Sequence, residues 1–183
     1  MFRLIVSTIL ALLSAPTLGY SQADSPPPPA EAWLSPMRIT RLKTLTWFYT
    51  TIDVSPAARG PEIRDRMVAI AATMKTAGVV PAGGLVFIFH GTDSSKPMKL
   101  DVGYPVADSA AAIPGLQSGK LDSALSATAI YTGSPQTLDI SRLDAAIVNG
   151  GHVRGDVMIQ RSLYYEGLNS PNNIILVEIP LRE

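Results

Sequence analysis

The chain has 183 residues, with 15 basic and 15 acidic side chains, and 46% of its residues are hydrophobic. This length suits one domain or two small fused units. The hydrophobic fraction and the balanced charge together exclude a disordered chain. A net charge of zero provides no clustered positive field of the kind that nucleic-acid binding requires. The absence of cysteine excludes disulfides, thiol nucleophiles and cysteine-based metal sites.

Residues 1–23 have the pattern of a secretory signal peptide. Arg3 precedes a short apolar run over residues 4–13, Pro16 and Gly19 break the helix, and small residues lead to a cleavage point after Ala23. The alternative is a membrane anchor, but a bilayer span needs about 20 apolar residues and this run has about half that number. We therefore predict cleavage after Ala23, a periplasmic or secreted location, and no stable membrane anchor after cleavage.

Residues 24–36 are predicted to form a proline-rich spacer. The four consecutive prolines Pro26 to Pro29 fix φ and donate no backbone hydrogen bond, which favours an extended conformation. The folded domain is then expected to cover residues 37–183, in two units of about 37–110 and 116–183.

The first unit has the pattern of a β-α-β-β arrangement. Its strands are rich in aromatic and β-branched residues, and its helix carries apolar residues at helical spacing. The predicted elements are a strand over residues 42–51, a helix that opens at Pro61 and is capped by Gly78, and strands over residues 85–90 and 100–106.

The second unit repeats the same order of elements. The predicted elements are a strand over residues 123–132, a helix that carries Leu138, Leu143 and Ile147 and stops at Gly150, and strands over residues 159–165 and 174–181. Residues 111–120, which include Pro114, Gly115 and Gly119, are predicted to link the two units.

Two β-α-β-β units each have one apolar helix to bury. Packing both helices on one face of a shared antiparallel sheet buries that face and leaves the other face bare. The bare face of a curved sheet with two-fold pseudo-symmetry forms a cleft, and such clefts bind ligands. The predicted fold class is therefore α+β: one antiparallel sheet with two helices on one face and a central ligand cleft on the other.

Three stretches, in order along the chain, resemble the motifs of one family. Residues 101–106 (DVGYPV) are similar to an E-V-G-[FY]-P-V strand end, and residues 131–138 (YTGSPQTL) to an H-x-G-P-Y-x-x-L turn. Residues 165–171, followed by 178–181, resemble a Y-E-x-Y-L-N-D-P hairpin and its final strand. These are motifs of the GyrI-like small-molecule-binding domain, the effector-binding domain of AraC-type and MerR-type regulators. The resemblance covers residues 37–183. Together with the export signal and the lack of a helix-turn-helix pattern ahead of residue 37, it predicts an exported, stand-alone version of this domain.

The chain departs from that family at two positions of functional interest. The family's cleft glutamate lies three places before a Leu-Asn pair, and Tyr165 occupies that position here, with Glu166 offset by one residue. A shift of one residue changes the strand face, and a bulge before Gly167 would restore Glu166 to the family's position. The histidine of the family's turn is replaced by Tyr131. The export signal is inconsistent with a role in transcription.

Alternation along the strands predicts an aromatic cleft with one carboxylate. If the last hairpin has no bulge, its polar residues, which include Tyr164 and Glu166, share a face that is expected to line the cleft. Phe87 is then expected to pair with Ser162. Phe89 is expected to pair with Tyr164. The alternative is that the aromatic residues are ordinary core, because periodicity does not identify which face is which. The predicted ligand-binding residues are Trp47, Tyr49, Phe87, Phe89, Tyr131, Tyr164 and Glu166.

Aromatic walls with one carboxylate suit an amphipathic or cationic aromatic ligand, through stacking and cation–π contact. The sequence thus predicts an exported small-molecule-binding protein rather than an enzyme. One alternative is a hydrolase of small electrophilic xenobiotics, in which Glu166 and a cleft tyrosine form the acid/base pair; another is an interaction module tethered by the proline spacer. His90 and His152 lack the spacing of a zinc site. No metal, cofactor or nucleic-acid partner is predicted.

Overall fold

The computed structural model describes residues 32–56, 59–91 and 96–182, and leaves the side chains of residues 59 and 136 undescribed. The predicted signal peptide and residues 24–31 of the predicted spacer lie outside these ranges. Within them, no helix is both long enough and apolar enough to cross a bilayer.

The described residues form ten β-strands and two α-helices. The strands are β1 (Trp33–Leu34), β2 (Arg38–Arg41), β3 (Leu45–Val54), β4 (Val86–His90), β5 (Met98–Pro105), β6 (Gln117–Leu121), β7 (Leu125–Thr132), β8 (Val153–Arg154), β9 (Val157–Tyr164) and β10 (Ile174–Arg182). The helices are α1 (Arg59–Thr76) and α2 (Ser141–Asn149), and a short 3-10 helix covers Pro135–Thr137.

All ten strands belong to one antiparallel sheet. Its order is β1–β7–β10–β9–β4–β5–β3–β6, with β2 also paired to β7 and β8 also paired to β10. The two predicted units are present as β3-α1-β4-β5 and β7-α2-β9-β10, and they join where β4 pairs with β9. The predicted α+β class and the duplicated order of elements are confirmed.

Both helices cover the same face of the sheet, as predicted. Directly paired residues share a face, so Val102, Phe87, Gln160, Val177 and Ala129 form one row across five strands. The first two residues of this row belong to the core under α1, and the last two belong to the core under α2. We call this side of the sheet the helix face and the opposite side the open face.

Helix α1 begins two residues before the predicted start, at Arg59, and ends as predicted. Gly78 has a φ of +69°, a left-handed conformation that glycine adopts without strain. Its N–H donates to the carbonyl of Lys75, and the N–H of Val79 donates to the carbonyl of Met74. Gly78 therefore closes the last turn of α1 as a C-terminal cap.

The sheet extends further at both edges than predicted. Trp33 pairs with Thr132, so the sheet begins inside the predicted spacer, before Met37. The predicted linker over residues 111–120 ends in strand β6, which pairs with β3. In the second unit, Leu138 precedes α2 instead of lying within it. Four strands were missed, β1, β2, β6 and β8. They are short, and their sequences carry too little apolar alternation to be identified without their pairing partners.

Candidate functional site

The structure divides the seven predicted ligand-binding residues among three places. Trp47 and Tyr49 lie on the open face, because β3 alternates and the intervening Phe48 packs under α1. The remaining five residues lie elsewhere: Phe87, Phe89 and Tyr131 on the helix face, and Tyr164 and Glu166 in the β9–β10 hairpin region.

The expectation that Phe87 and Phe89 share a cleft with Trp47 is wrong. Phe87 pairs with Gln160, and Phe89 pairs with Met158, two residues and six residues from the partners expected for them. Gln160 is polar and its face of β9 was expected to line the cleft, but it lies on the helix face and is buried there. Phe87 and Phe89 therefore belong to the core beneath α1, with ring centroids 6.3 Å apart.

Trp47 and Tyr49 form an aromatic stack on the open face. Their ring centroids are 4.4 Å apart and their planes differ by 11°. Trp47 is only 2% exposed and packs with Val86 and Ile159. A Cβ atom at Gly119 on the neighbouring strand would lie 3.0 Å from Cε1 of Tyr49, so the absence of a side chain there leaves room for the stack. Tyr49, which is partly exposed, is the accessible ring of this stack, and Trp47 lies buried beside it.

A buried ion pair, absent from the sequence-based prediction, lies on the same face. Tyr49, Gly103, Val86 and Arg161 form one row across four strands. Glu178 lies in the next row of the open face, and its carboxylate oxygen Oε1 is 2.7 Å from Nε of Arg161. A single charged residue inside the apolar strand ILVEIPL was the sequence signal that could have identified this position.

Glu178 is held in an environment that is costly for a charge. Its side chain is fully buried, and burial raises the pKa of its carboxyl although the positive charge of Arg161 opposes that shift. Within the described residues, the polar partner of this carboxylate is Arg161, whose positive charge and side-chain hydrogen bond both lower the pKa. The two residues paired with Glu178 donate no described hydrogen bond to its carboxylate. Ile159 is apolar, and the hydroxyl of Thr128 donates to the carbonyl of Arg38. Arg161 is thus the residue that offsets the buried charge.

A second polar cluster lies on the open face beyond the aromatic stack. Asp101 accepts a 2.6 Å hydrogen bond from the hydroxyl of Thr51 through Oδ1, and its Oδ2 lies 2.7 Å from Nε2 of His90. Thr51 pairs directly with Asp101 and follows Tyr49 by two positions on β3. His90 ends strand β4, so it belongs to the sheet and not to the loop that follows. Carboxylate and imidazole therefore border the aromatic stack.

Tyr131 serves the structure of the second unit. It is buried in the core under α2, and its hydroxyl lies 2.8 Å from Oγ1 of Thr137 and donates to the carbonyl of Ser134 at 3.1 Å. These contacts fix the 3-10 helix that precedes α2. The predicted role of Tyr131 as a residue lining the same cleft as Trp47 is wrong, because Tyr131 lies on the opposite face.

A register shift in the β9–β10 pair changes the position of Tyr164. Ile175 pairs with Ser162 and Ile174 pairs with Tyr164, so Leu163 is an extra residue in β9. Tyr164 therefore no longer shares a face with Ser162, as it would in a hairpin without a bulge. The sequence-based hypothesis considered a bulge just before Gly167, and the structure has the bulge at Leu163.

Glu166 is an exposed residue of the hairpin loop. Its carboxylate accepts hydrogen bonds from the hydroxyls of Tyr164 and Ser170 and from the side-chain amide of Asn172, at 2.6, 2.7 and 2.9 Å. These donors, the tyrosine first, lower the pKa of the Glu166 carboxyl. A general base near neutral pH needs a raised pKa, so this environment is opposite to the one that the hydrolase hypothesis required.

Tyr165, at the position of the family's cleft glutamate, packs on the helix face. Its hydroxyl lies 3.8 Å from Sδ of Met67 on α1. Burial, assisted by the nearby Tyr104, raises the pKa of Tyr165 to about 12. Position 165 therefore provides a neutral phenol where the family has a carboxylate.

A shallow groove of about 620 Å³ lies between β3 and α1, and its charged lining residues include Asp53, Glu62, Asp65 and Arg66. In the described part of the chain, no group of three or more histidine or acidic residues is placed to hold a metal ion.

Comparison with known proteins gives a match at the level of fold. No family model and no curated protein matches the chain. The C-terminal domain of EcmrR has 12% sequence identity and a TM-score of 0.63 over 81% of this chain and 98% of that one. SAV2435 bound to tetraphenylphosphonium has 12% identity and a TM-score of 0.56 over 81% of this chain and 94% of that one.

Two further solved structures share the fold. EcmrR in a complex with DNA has 11% identity and a TM-score of 0.69 over 82% of this chain, and this chain spans 58% of the length of that protein. A hydrolase from Listeria innocua has 9% identity and a TM-score of 0.58 over 80% of this chain and 91% of that one. At such identities the likeness shows a shared fold alone.

Proposed function

We propose that this chain is an exported, GyrI-like protein that binds an amphipathic or cationic aromatic small molecule on its open face. The observation that carries the proposal is the fully buried carboxylate of Glu178 on the same face as the Trp47–Tyr49 stack. Burying a charge costs free energy, and a fold that keeps one gains from it most readily through a ligand of opposite charge. Export rests on the signal-peptide pattern of residues 1–23.

The spacing of the two features suits a ligand of modest size. Tyr49 and Arg161 lie in one row of the sheet, three strand spacings apart, which corresponds to about 14 Å along the sheet. A ring stacked on Tyr49, the partly exposed member of the aromatic pair, can place a cationic group toward Glu178, where stacking and charge attraction act on the same molecule. SAV2435, whose fold this chain shares, was solved with a lipophilic aromatic cation, and this supports the choice of ligand class.

Fluorescence titration with tetraphenylphosphonium tests the proposal. The chain has two tryptophans, so Trp33→Phe leaves Trp47 as the reporter. We expect a saturable change in Trp47 emission and at least a tenfold loss of affinity in Glu178→Gln. Glu166→Gln, which neutralises an exposed carboxylate of the hairpin, is the matched control and should bind as the parent does. No saturable change, or equal losses in both variants, would contradict the proposal.

The hydrolase function is the second candidate, favoured by the shared fold with the Listeria innocua hydrolase. Its proposed acid/base pair is poorly placed, because Glu166 is exposed and its pKa is lowered. We therefore rank binding above turnover. Hydrolysis of an activated aryl ester that is lost in Glu166→Ala and retained in Glu178→Gln would reverse this order.

A further inference from the structure

Arg161 occupies the position that a ligand cation would take beside Glu178. Its Nε lies 2.7 Å from Oε1 of Glu178, and the arginine side chain is 21% exposed whereas the glutamate is fully buried. One end of the pair is thus enclosed by the sheet, and the other end reaches the surface. The guanidinium can leave toward solvent, but the carboxylate cannot.

The contact between the two side chains is close but incomplete. An arginine that holds a carboxylate firmly does so through two parallel N–H···O hydrogen bonds. Here one contact is described, from Nε of Arg161 to Oε1 of Glu178 at 2.7 Å. A single contact of this kind is weaker than the two-point clamp, so its exchange for another cation costs less free energy.

We propose that Arg161 is an internal counter-ion that competes with cationic ligands for Glu178 and thereby sets the specificity of the open-face site. This inference rests on the proposed function. A ligand cation displaces the guanidinium from the carboxylate, and the arginine head moves into water on its flexible stem. The exchange replaces one cation by another, so the buried carboxylate is never left unpaired.

Competition of this kind selects for ligands that carry both a charge and aromatic rings. A small hydrated cation gains only the carboxylate and must replace a guanidinium that is already tethered there, at high effective concentration. A cation that also stacks on Trp47 and Tyr49 adds an apolar contribution that the arginine cannot match. We expect tetraphenylphosphonium to bind wild-type protein and tetramethylammonium not to bind it.

The test is Arg161→Met, which keeps a long flexible stem and removes the charge. In the Trp33→Phe background, we expect at least tenfold tighter binding of tetraphenylphosphonium, and the added change Glu178→Gln should abolish that gain. Arg154→Met is the matched control, because Arg154 is also paired with a carboxylate, that of Asp144, and is 19% exposed. It should leave the affinity unchanged. Arg161→Gln serves as a second variant with the same expected direction.

The outcomes separate this inference from the proposed function. If wild-type protein binds the cation and both folded Arg161 variants bind it no more tightly, the competition proposal is wrong and the binding function stands. If neither wild-type protein nor the Arg161 variants bind it, the binding function itself fails. If both Arg161 variants fail to fold, the competition proposal is also overturned, because a guanidinium that the fold requires cannot leave the carboxylate when a ligand arrives.

Discussion

The phenolic hydroxyl of Tyr164 donates a 2.6 Å hydrogen bond to the carboxylate of Glu166, two residues further along the chain. Ser170 and Asn172 donate to the same carboxylate from the other side of the loop. The backbone N–H of Glu166 in turn donates to the side chain of Asn173, which is buried. Glu166 therefore organises the β9–β10 connection.

The role of Glu166 predicts a pH-dependent loss of stability in Glu166→Gln. Its folded-state pKa lies below the ordinary value of 4.5, so the carboxylate stabilises the fold above that value and the contribution is lost as the pH falls through the lowered pKa. We expect the variant to be less stable than wild type at about pH 7 and the difference to shrink toward about pH 3. Urea unfolding at both pH values measures it, with the exposed Asp122→Asn as control. A difference that grows on acidification would contradict this role.

Glu178 predicts the opposite trend. Burial raises its folded-state pKa above the ordinary value of 4.5, so its contribution to stability is complete below that value and is lost as the pH rises through the raised pKa. The stability of wild type relative to Glu178→Gln should therefore fall as the pH rises above about 4.5. Urea unfolding of both proteins across this range gives the slope. A flat difference would mean that the carboxyl titrates alike in the folded and unfolded chains.

The sequence predicted those features of the site that depend on local periodicity. Alternation on β3 predicts that Trp47 and Tyr49 share a face, and the structure confirms it. Alternation could not predict which face of the sheet Phe87 lies on, because that depends on where α1 packs. The pairing of Arg161 with Glu178 depends on the β9–β10 register, which carries a bulge that alternation does not reveal.

For the fold as well, local patterns predicted some elements and missed those that depend on pairing partners. The two β-α-β-β units follow from strong apolar patterns and from turn signals such as Gly78, which has the positive φ expected of a cap. Strands β1 and β6 were missed because two residues, or a polar stretch such as QSGKL, become strands only through the neighbours they pair with.

Gly119 is predicted to control the geometry of the aromatic stack. A Cβ atom there would lie 3.0 Å from Cε1 of Tyr49 and 3.3 Å from Nε1 of Trp47, closer than ordinary packing allows. We expect Gly119→Ala to tilt the stack, to alter the near-UV circular dichroism, and to cost about 1–3 kcal/mol of stability. Ser118→Ala, on the adjacent and exposed position of β6, is the control. An unchanged aromatic spectrum in Gly119→Ala would show that the stack does not depend on this glycine.

Asp101 is predicted to stabilise the fold through its contacts with the side chains of Thr51 and His90. An asparagine amide has one acceptor oxygen where the carboxylate has two, so Asp101→Asn loses one of the two contacts and should cost about 1–3 kcal/mol. The exposed Asp53→Asn on the same strand face as Thr51 is the control. A double-mutant cycle with His90→Ala should give a coupling energy of about 0.5 kcal/mol or more. Strict additivity would show that the imidazole contributes nothing through Asp101.

The proposed open-face site spans the junction between β4 and β9, where the two units meet. The aromatic stack belongs to the first unit and Glu178 to the second. A molecule that contacts both would therefore bridge the seam between the two units, which is the β4–β9 pair. Its fit depends on the angle at which the halves meet. Ile88 and Ile159 are paired across that seam and lie in the core cluster that includes Trp47. The affinity of the proposed site is therefore expected to depend on the β4–β9 junction as well as on the residues that contact the ligand.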